Sequence, residues 1–126
     1  MKGAGAAFLL LFLLGGAAPP AYDETGMASW YGDELAGRQT ASGEAFDPQG
    51  LSAAHRTLPL GSYAEVSLVD SDRSVTVRIN DRGPVGKTKL IDLSRGAARR
   101  LGIEARGLAR VRVRSLAALA QAAPAR

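Results

Sequence analysis

The segment Val75–Asp92, VTVRINDRGPVGKTKLID, carries two aspartates eleven residues apart, Asp81 and Asp92. Val75, Val77 and Ile79 alternate with Thr76, Arg78 and Asn80, the period-two pattern of a half-buried strand. Asn80, Asp81, Arg82, Gly83 and Pro84 then break that pattern with turn-forming residues. A second short strand follows over Lys89–Asp92 and leads through Leu93 and Ser94 into a helix. Both carboxylates therefore stand at strand-to-loop transitions, where side chains can face a cleft without disturbing a core. Two carboxylates on one cleft can hold a proton near neutral pH, because each opposes the other's ionisation. The chemistry this permits is general acid–base catalysis. Arg78 and Arg82 would oppose it if their guanidinium groups turned toward the pair. Two plainer roles stand beside it. Asp81 can accept hydrogen bonds from turn amides, and Asp92 can cap the following helix, a duty for which Ser94 also qualifies.

Two other residues can do chemistry. Glu44 lies in Gly37–Asp47, a stretch rich in Gly, Ser and Thr that reads as a long loop, with Phe46 able to pin it to a core. It is either a solvated loop charge or a site carboxylate. His55 is the single histidine, and the chain has no cysteine. It is either a hydrogen-bonded structural residue or a site residue near the carboxylates. Neither a Cys/His zinc set nor a paired-histidine motif exists, so no metal or other cofactor is expected. Glu44, Asp81 and Asp92 together are the one arrangement a hard cation could use.

The elements that must position these groups are short. Met27–Tyr31 reads as a first strand, on which adjacent Trp30 and Tyr31 point to opposite faces, one to the core and one outward. Tyr22–Gly26, before it, is polar and expected to be flexible. Leu51–His55 leads into a turn ending at Gly61. Tyr63–Val69 alternates again and pairs with Ser74–Ile79 through the polar turn Asp70–Arg73. Ala97, Ala98 and Leu101 give Ser94–Leu101 a helical spacing, stopped by Gly102. Gly107–Arg114 supplies a last strand. Several short strands, a short helix and long loops argue for a small barrel.

The 126 residues allow one domain over 22–115. Met1–Ala21 has the layout of a secretory signal: Lys2, the apolar run Phe8–Leu14, then small residues and proline. Export without an anchoring cysteine implies a soluble protein with no integral membrane span. Leu116–Arg126 is an Ala-rich tail with some helical character. The net charge is +4, and the arginines are spread over several elements rather than gathered in one tract, which argues against a nucleic-acid partner.

Five motifs occur in order: ASWYG at 28–32, GRQTASGE at 37–44, AAHRTLPLG at 53–61, VRINDRGP at 77–84 and IDLS at 91–94. Together they resemble the rare lipoprotein A (RlpA) family of bacterial cell-wall proteins, from about Gly26 to Arg114. The resemblance implies a mainly β fold, a six-stranded double-psi β-barrel with one or two short helices, related to expansins. It implies cleavage of peptidoglycan glycan strands, with preference for strands stripped of stem peptides, to leave 1,6-anhydro ends. By position in the motifs, Asp81, Glu44, His55 and Asp92 are the implied catalytic residues. Ser29, Tyr31, Arg38, Thr40, Asn80 and Arg82 are the implied substrate contacts. A monomer acting on glycan in the periplasm or cell-wall space is the corresponding expectation. An expansin-like module that binds wall polymer without cutting it is the alternative. The chain departs from the family pattern in lacking a lipoprotein cysteine, and in reading VGKTK after Pro84, where an aromatic residue is commoner.

Overall fold

The computed structural model describes residues 20–122. The expected signal segment lies outside the described residues except for its last two positions. Six strands form a closed barrel: β1 (Asp23–Trp30), β2 (Ser52–His55), β3 (Tyr63–Leu68), β4 (Ser74–Asp81), β5 (Ile91–Leu93) and β6 (Ala109–Ser115). Their order around the barrel is β1-β5-β2-β4-β3-β6. Neighbours are antiparallel except for two parallel pairs, β1 with β5 and β2 with β4. A short helix, α1 (Arg95–Leu101), follows β5, and a second, α2 (Leu116–Ala122), follows β6.

Alternation builds the interior. Val66, Val75, Val77, Ile79, Ile91, Leu93, Val111 and Val113 point inward and are buried, with Ala28, Ala53 and Ala64 filling the narrow places between them. A six-stranded barrel has little interior room, so small residues alternate with branched ones. Ala97, Ala98 and Leu101 of α1, with Ile103, join the same core.

One sequence expectation changes here. The polar segment before Met27 is not a flexible lead-in. Asp23, Glu24 and Thr25 pair with Arg114, Val113 and Arg112 of β6, and the Asp23 carboxylate takes two hydrogen bonds from Arg112. Backbone pairing to an otherwise open edge strand orders residues whose side chains bury nothing. The Ala-rich segment after β6 has the helical character expected of it: Leu116–Ala122 form α2, whose Ala118 packs down onto the barrel, and residues 123–126 lie outside the described residues.

The helix start is settled by Ser94. Its hydroxyl accepts from the Ala97 amide and from the Ser52 amide, and donates to the Gly50 carbonyl at 2.6 Å. Asp92 is thereby released from capping. Gly102 closes the helix in the left-handed region at φ 88°. Gly96, in the first turn, sits directly on the backbone of the preceding loop, where an added Cβ would lie 2.4 Å from the Gln49 carbonyl oxygen. That contact is with main chain and cannot be relieved by a side-chain rotation. Gly96→Ala is therefore expected to destabilise the fold by about 2 kcal/mol, the scale of an overpacked site, read as a lower midpoint in urea denaturation.

Candidate active site

The two aspartates share one row across four strands. Ser29 of β1 stands opposite Asp92 of β5, Asp92 opposite Ala54 of β2, and Ala54 opposite Asp81 of β4. Simple alternation would send Asp81 into the core with Ile79. The β2–β4 register prevents this: one step on β2, from Ala53 to Ala54, corresponds to two on β4, from Ile79 to Asp81. Asn80 is the extra residue of a bulge, which turns the next side chain to the opposite face. Asp81 thus emerges on the outer face with Asp92, their backbones two strand spacings or roughly 10 Å apart.

Each carboxylate is held through one oxygen. Asp81 Oδ1 accepts from the amides of Ala41 (3.0 Å) and Arg82 (2.9 Å). Asp92 Oδ1 accepts a short hydrogen bond from the Ser29 hydroxyl. The Oδ2 atom of each makes no hydrogen bond among the described residues. The turn-amide role considered for Asp81 therefore occupies half of its carboxylate and leaves the other half open.

Arg78 and Arg82 are committed elsewhere. Arg78 donates to Glu44 Oε2 from Nε (2.9 Å) and Nη2 (2.5 Å), and to the Gly61 carbonyl, with its guanidinium 5.9 Å from the centre of the Tyr63 ring. Arg82 donates from Nη1 to the carbonyls of His55 (3.0 Å) and Leu58 (2.7 Å). Neither guanidinium pairs with Asp81 or Asp92, so the opposition their sequence positions allowed does not arise through direct contact. The hydrogen bond from Arg78 lowers the pKa of Glu44 below the usual carboxylate value, with smaller help from Asn80 and Ser42. Glu44 is held as an anion at the margin of the site, bound into the loop that also reaches Asp81 through Ala41.

That loop is ordered. Gln39 and Ala45 form a bridge across it, Ser42 N donates to the Asn80 carbonyl, and the Thr40 hydroxyl donates to the Glu44 carbonyl. Phe46 is buried and stacks on Tyr31, ring centres 4.8 Å apart. Trp30 and Tyr31 do take opposite faces: Trp30 packs against the core and donates Nε1–H to the Glu104 carbonyl, while Tyr31 lies beside the aspartates. Burial first, then the charges of Asp81 and Asp92, raises the Tyr31 pKa, and its hydroxyl is buried without a hydrogen-bond partner among the described residues. Tyr31, Leu35, Arg38, Gln39, Thr40, Phe46 and Asp81 line a cavity of about 200 Å³. A larger open depression of about 470 Å³ on the β3 and β6 side contains neither aspartate.

His55 is not open to this cavity. It is 2% exposed. Its Nδ1 accepts from the amides of Thr57 (3.1 Å) and Leu58 (3.0 Å), so the ring proton sits on Nε2 and is donated to the Tyr22 hydroxyl at 2.9 Å. Tyr22 also packs edge-on against the ring. Arg56, which sequence reasoning missed, donates to the carbonyls of Pro84, Gly86 and Lys89. Arg56 and Arg82 thus cross-tie the turn after β2 and the loop that joins the two aspartates. Neither tie leaves a sequence signal, because backbone carbonyls have no residue identity. Among the described residues no group of three or more His, Asp or Glu side chains is placed to hold a metal ion, Glu44, Asp81 and Asp92 included.

This closed six-stranded barrel, whose outer face carries two half-free carboxylates on strands either side of β2, is a double-psi β-barrel. Residues 23–113 match the family model described as lytic transglycolase (DPBB_1), and the chain belongs to that family. A protein of Pseudomonas aeruginosa named endolytic peptidoglycan transglycosylase RlpA is 50% identical over 96 residues, 76% of this chain and 28% of its own length. The Vibrio cholerae protein of the same name is 44% identical over 95 residues, 75% of this chain and 36% of its own. The chain therefore spans about a third of the relatives it matches. Among solved structures, Streptomyces papain inhibitor superposes with a TM-score of 0.61 at 24% identity, over 79% of this chain and 98% of the inhibitor. A Clavibacter michiganensis expansin crystallised with cellohexaose gives 0.56 at 17%, over 75% and 50%. These two likenesses bear on the fold alone.

The His55 geometry predicts acid behaviour. Burial, aided by Arg56 and Arg82, lowers its pKa from 6.5 to about 4. The unfolded chain then takes up a proton before the folded one does. The stabilisation is full above pH 6.5 and fades as pH falls toward 4, by about 3 kcal/mol in all. Carboxylates with lowered pKa, such as Glu44, begin to lose their contribution only as pH falls through the ordinary value of 4.5, at the acid end of this window. Urea midpoints for the wild type should fall between pH 7 and 4.5, and His55→Asn should show a flatter dependence from a lower starting value.

Proposed function

We propose that this chain is an exported peptidoglycan lytic transglycosylase domain, cleaving glycan strands to 1,6-anhydro ends with Asp81 as its acid–base. The observation that carries this reading is the Asp81 carboxylate, fixed by two amides through Oδ1 and open at Oδ2 on the wall of a cavity. The relatives' names supply the substrate class. In the reaction, protonated Asp81 gives its proton to the glycosidic oxygen as the bond to the anomeric carbon breaks. The C6 hydroxyl of the same sugar attacks that carbon, and its proton passes to the Asp81 carboxylate. The acid is regenerated and no water is consumed. Holding the carboxylate by backbone amides before substrate arrives sets the proton-transfer geometry in advance.

The other residues take graded roles in this proposal. Asp92, oriented by Ser29, faces the same side and is the alternative acid–base. Glu44 stays ionised against Arg78, which suits an anion stabilising positive charge at the reacting carbon better than a proton donor. His55 acts as a positioning residue through the turn it organises. Asn80, as the bulge residue, aims Asp81. Arg82 braces the turn after β2 instead of contacting sugar. The setting is the extracytoplasmic space where peptidoglycan lies; among the described residues no helix is long and apolar enough to cross a membrane.

A non-catalytic wall-binding module is the second reading, because a shared fold does not by itself carry catalysis and the same open carboxylates could hold a polymer without cutting it. One assay separates the two: purified glycan strands incubated with the protein and examined for anhydro-ended fragments. Asp81→Asn is expected to stay folded and still bind strands, while product formation drops by about 10²-fold or more. Unchanged product from Asp81→Asn beside a folded but inactive Asp92→Asn would transfer the role to Asp92. Binding by the wild type without any anhydro product would favour the binding module.

A further inference from the structure

Tyr63 is the one exposed aromatic side chain among the described residues, at 45%. Alternation puts it there: Ala64, Val66 and Leu68 of β3 are buried, so Tyr63 takes the outer face. Its partner in register is Arg78 of β4, whose guanidinium lies 5.9 Å from the centre of the ring. That guanidinium is itself tied to Glu44 and to the Gly61 carbonyl. The ring is thus backed by a fixed cation, an arrangement that holds an aromatic side chain in one orientation. Asp81 stands on the same outer face. Arg78 precedes it on β4 by about 10 Å of strand, and Tyr63 lies one strand further across, about 5 Å. Arg78, between the two, has its charge cancelled by Glu44. Tyr63 also borders a depression of about 290 Å³ with Leu58, Pro59, Leu116 and Ala117, where the hydroxyls of Ser62 and Ser115 are already engaged with backbone groups. A flat ring with apolar flanks, reached from Asp81 over neutralised ground, suits the C–H face of an uncharged sugar.

Resting on the transglycosylase reading, we propose that Tyr63 is a stacking platform for a more distant sugar of the glycan strand that Asp81 cleaves. The strand crosses the Arg78–Glu44 pair to reach it, and a pyranose ring lies with its C–H face on the phenol. Because Tyr63 is set apart from Asp81 along β4 and across to β3, the contact is available to a strand that spans both points and not to a short fragment centred on Asp81. Affinity therefore depends on strand length, through a residue that takes no part in proton transfer.

The test uses the full chain and peptide-free glycan strands fractionated by length, with affinity measured by titration calorimetry in the cold, where turnover is slow. Wild-type affinity should rise by about tenfold once a strand is long enough to reach from Asp81 to Tyr63, the scale of one aromatic stacking contact. Tyr63→Ala should lose that rise while binding short fragments as the wild type does. Tyr63→Phe and Tyr63→Trp should keep it. Tyr63→Leu keeps an apolar side chain beside the depression but no flat ring, and it should lose the rise too, which covers the case of an alanine variant that fails to fold. No rise in the wild type, or a rise that survives in the leucine variant, would overturn the proposal. So would equal weakening at every length, the outcome if the ring merely braces Arg78. Anhydro-ended product from the wild type is scored separately. A length step without product would sink the lytic reading and leave the platform standing, and product without the step would do the reverse.

Discussion

The bulge at Asn80 is the constraint on which the site depends. A β-strand offers its side chains to alternate faces, so a residue two places after the buried Ile79 belongs in the core. Placing a carboxylate there would require it to be neutralised or paired. One extra residue opposite the Ala53–Ala54 step reverses the facing and delivers Asp81 to the outer surface beside Asp92. The rest of the local structure serves this reversal. Ser42 N bonds the Asn80 carbonyl, so the loop over residues 37–46 covers the bulge, and Ala41 N reaches the carboxylate that the bulge has turned out.

The electrostatics follow from where the cations are sent. A cleft with two aspartates beside Arg78 and Arg82 could have become a set of ion pairs, locking both carboxylates as anions. Instead Arg78 is neutralised by Glu44 and Arg82 is spent on main-chain carbonyls. The same preference for carbonyls recurs at Arg56. Charge is thus used to hold backbone, and the aspartates keep one oxygen each for other partners. His55, kept neutral in its buried place, adds no cation to the cleft.

Much of the barrel was legible in the chain because alternation survives in β3, β4 and β6, and because Ser94 and Gly102 mark the ends of α1. The position of Asp81 at the end of β4 could be read from the turn residues after it, whereas Asp92, expected at a strand-to-loop transition, is the middle residue of β5. The reason Asp81 faces outward could not be read, since a bulge is a property of two paired strands and alternation describes only one. The start of β1 was missed for a related reason: Asp23, Glu24 and Thr25 are exposed, and their order comes from pairing with β6. For Glu44 and His55 the chain left two roles open. Their partners, Arg78 for one and the amides of Thr57 and Leu58 for the other, show what holds each in place. Phe46 was readable as a pin for its loop, but the ring it stacks on was not.

The Arg56 tie has a consequence for change over time. It grips the rim loop by the carbonyls of Pro84, Gly86 and Lys89, which every amino acid possesses. The side chains between those grips carry no structural duty; Val85 is 98% exposed. The loop is therefore a fixed frame with an exchangeable tip. Substitutions at Val85, Lys87 and Thr88 can alter the surface the rim presents without loosening the connection between the strands that bear Asp81 and Asp92. Freedom to vary and constancy of shape are here assigned to different atoms of the same six residues, the first to side chains and the second to backbone oxygens.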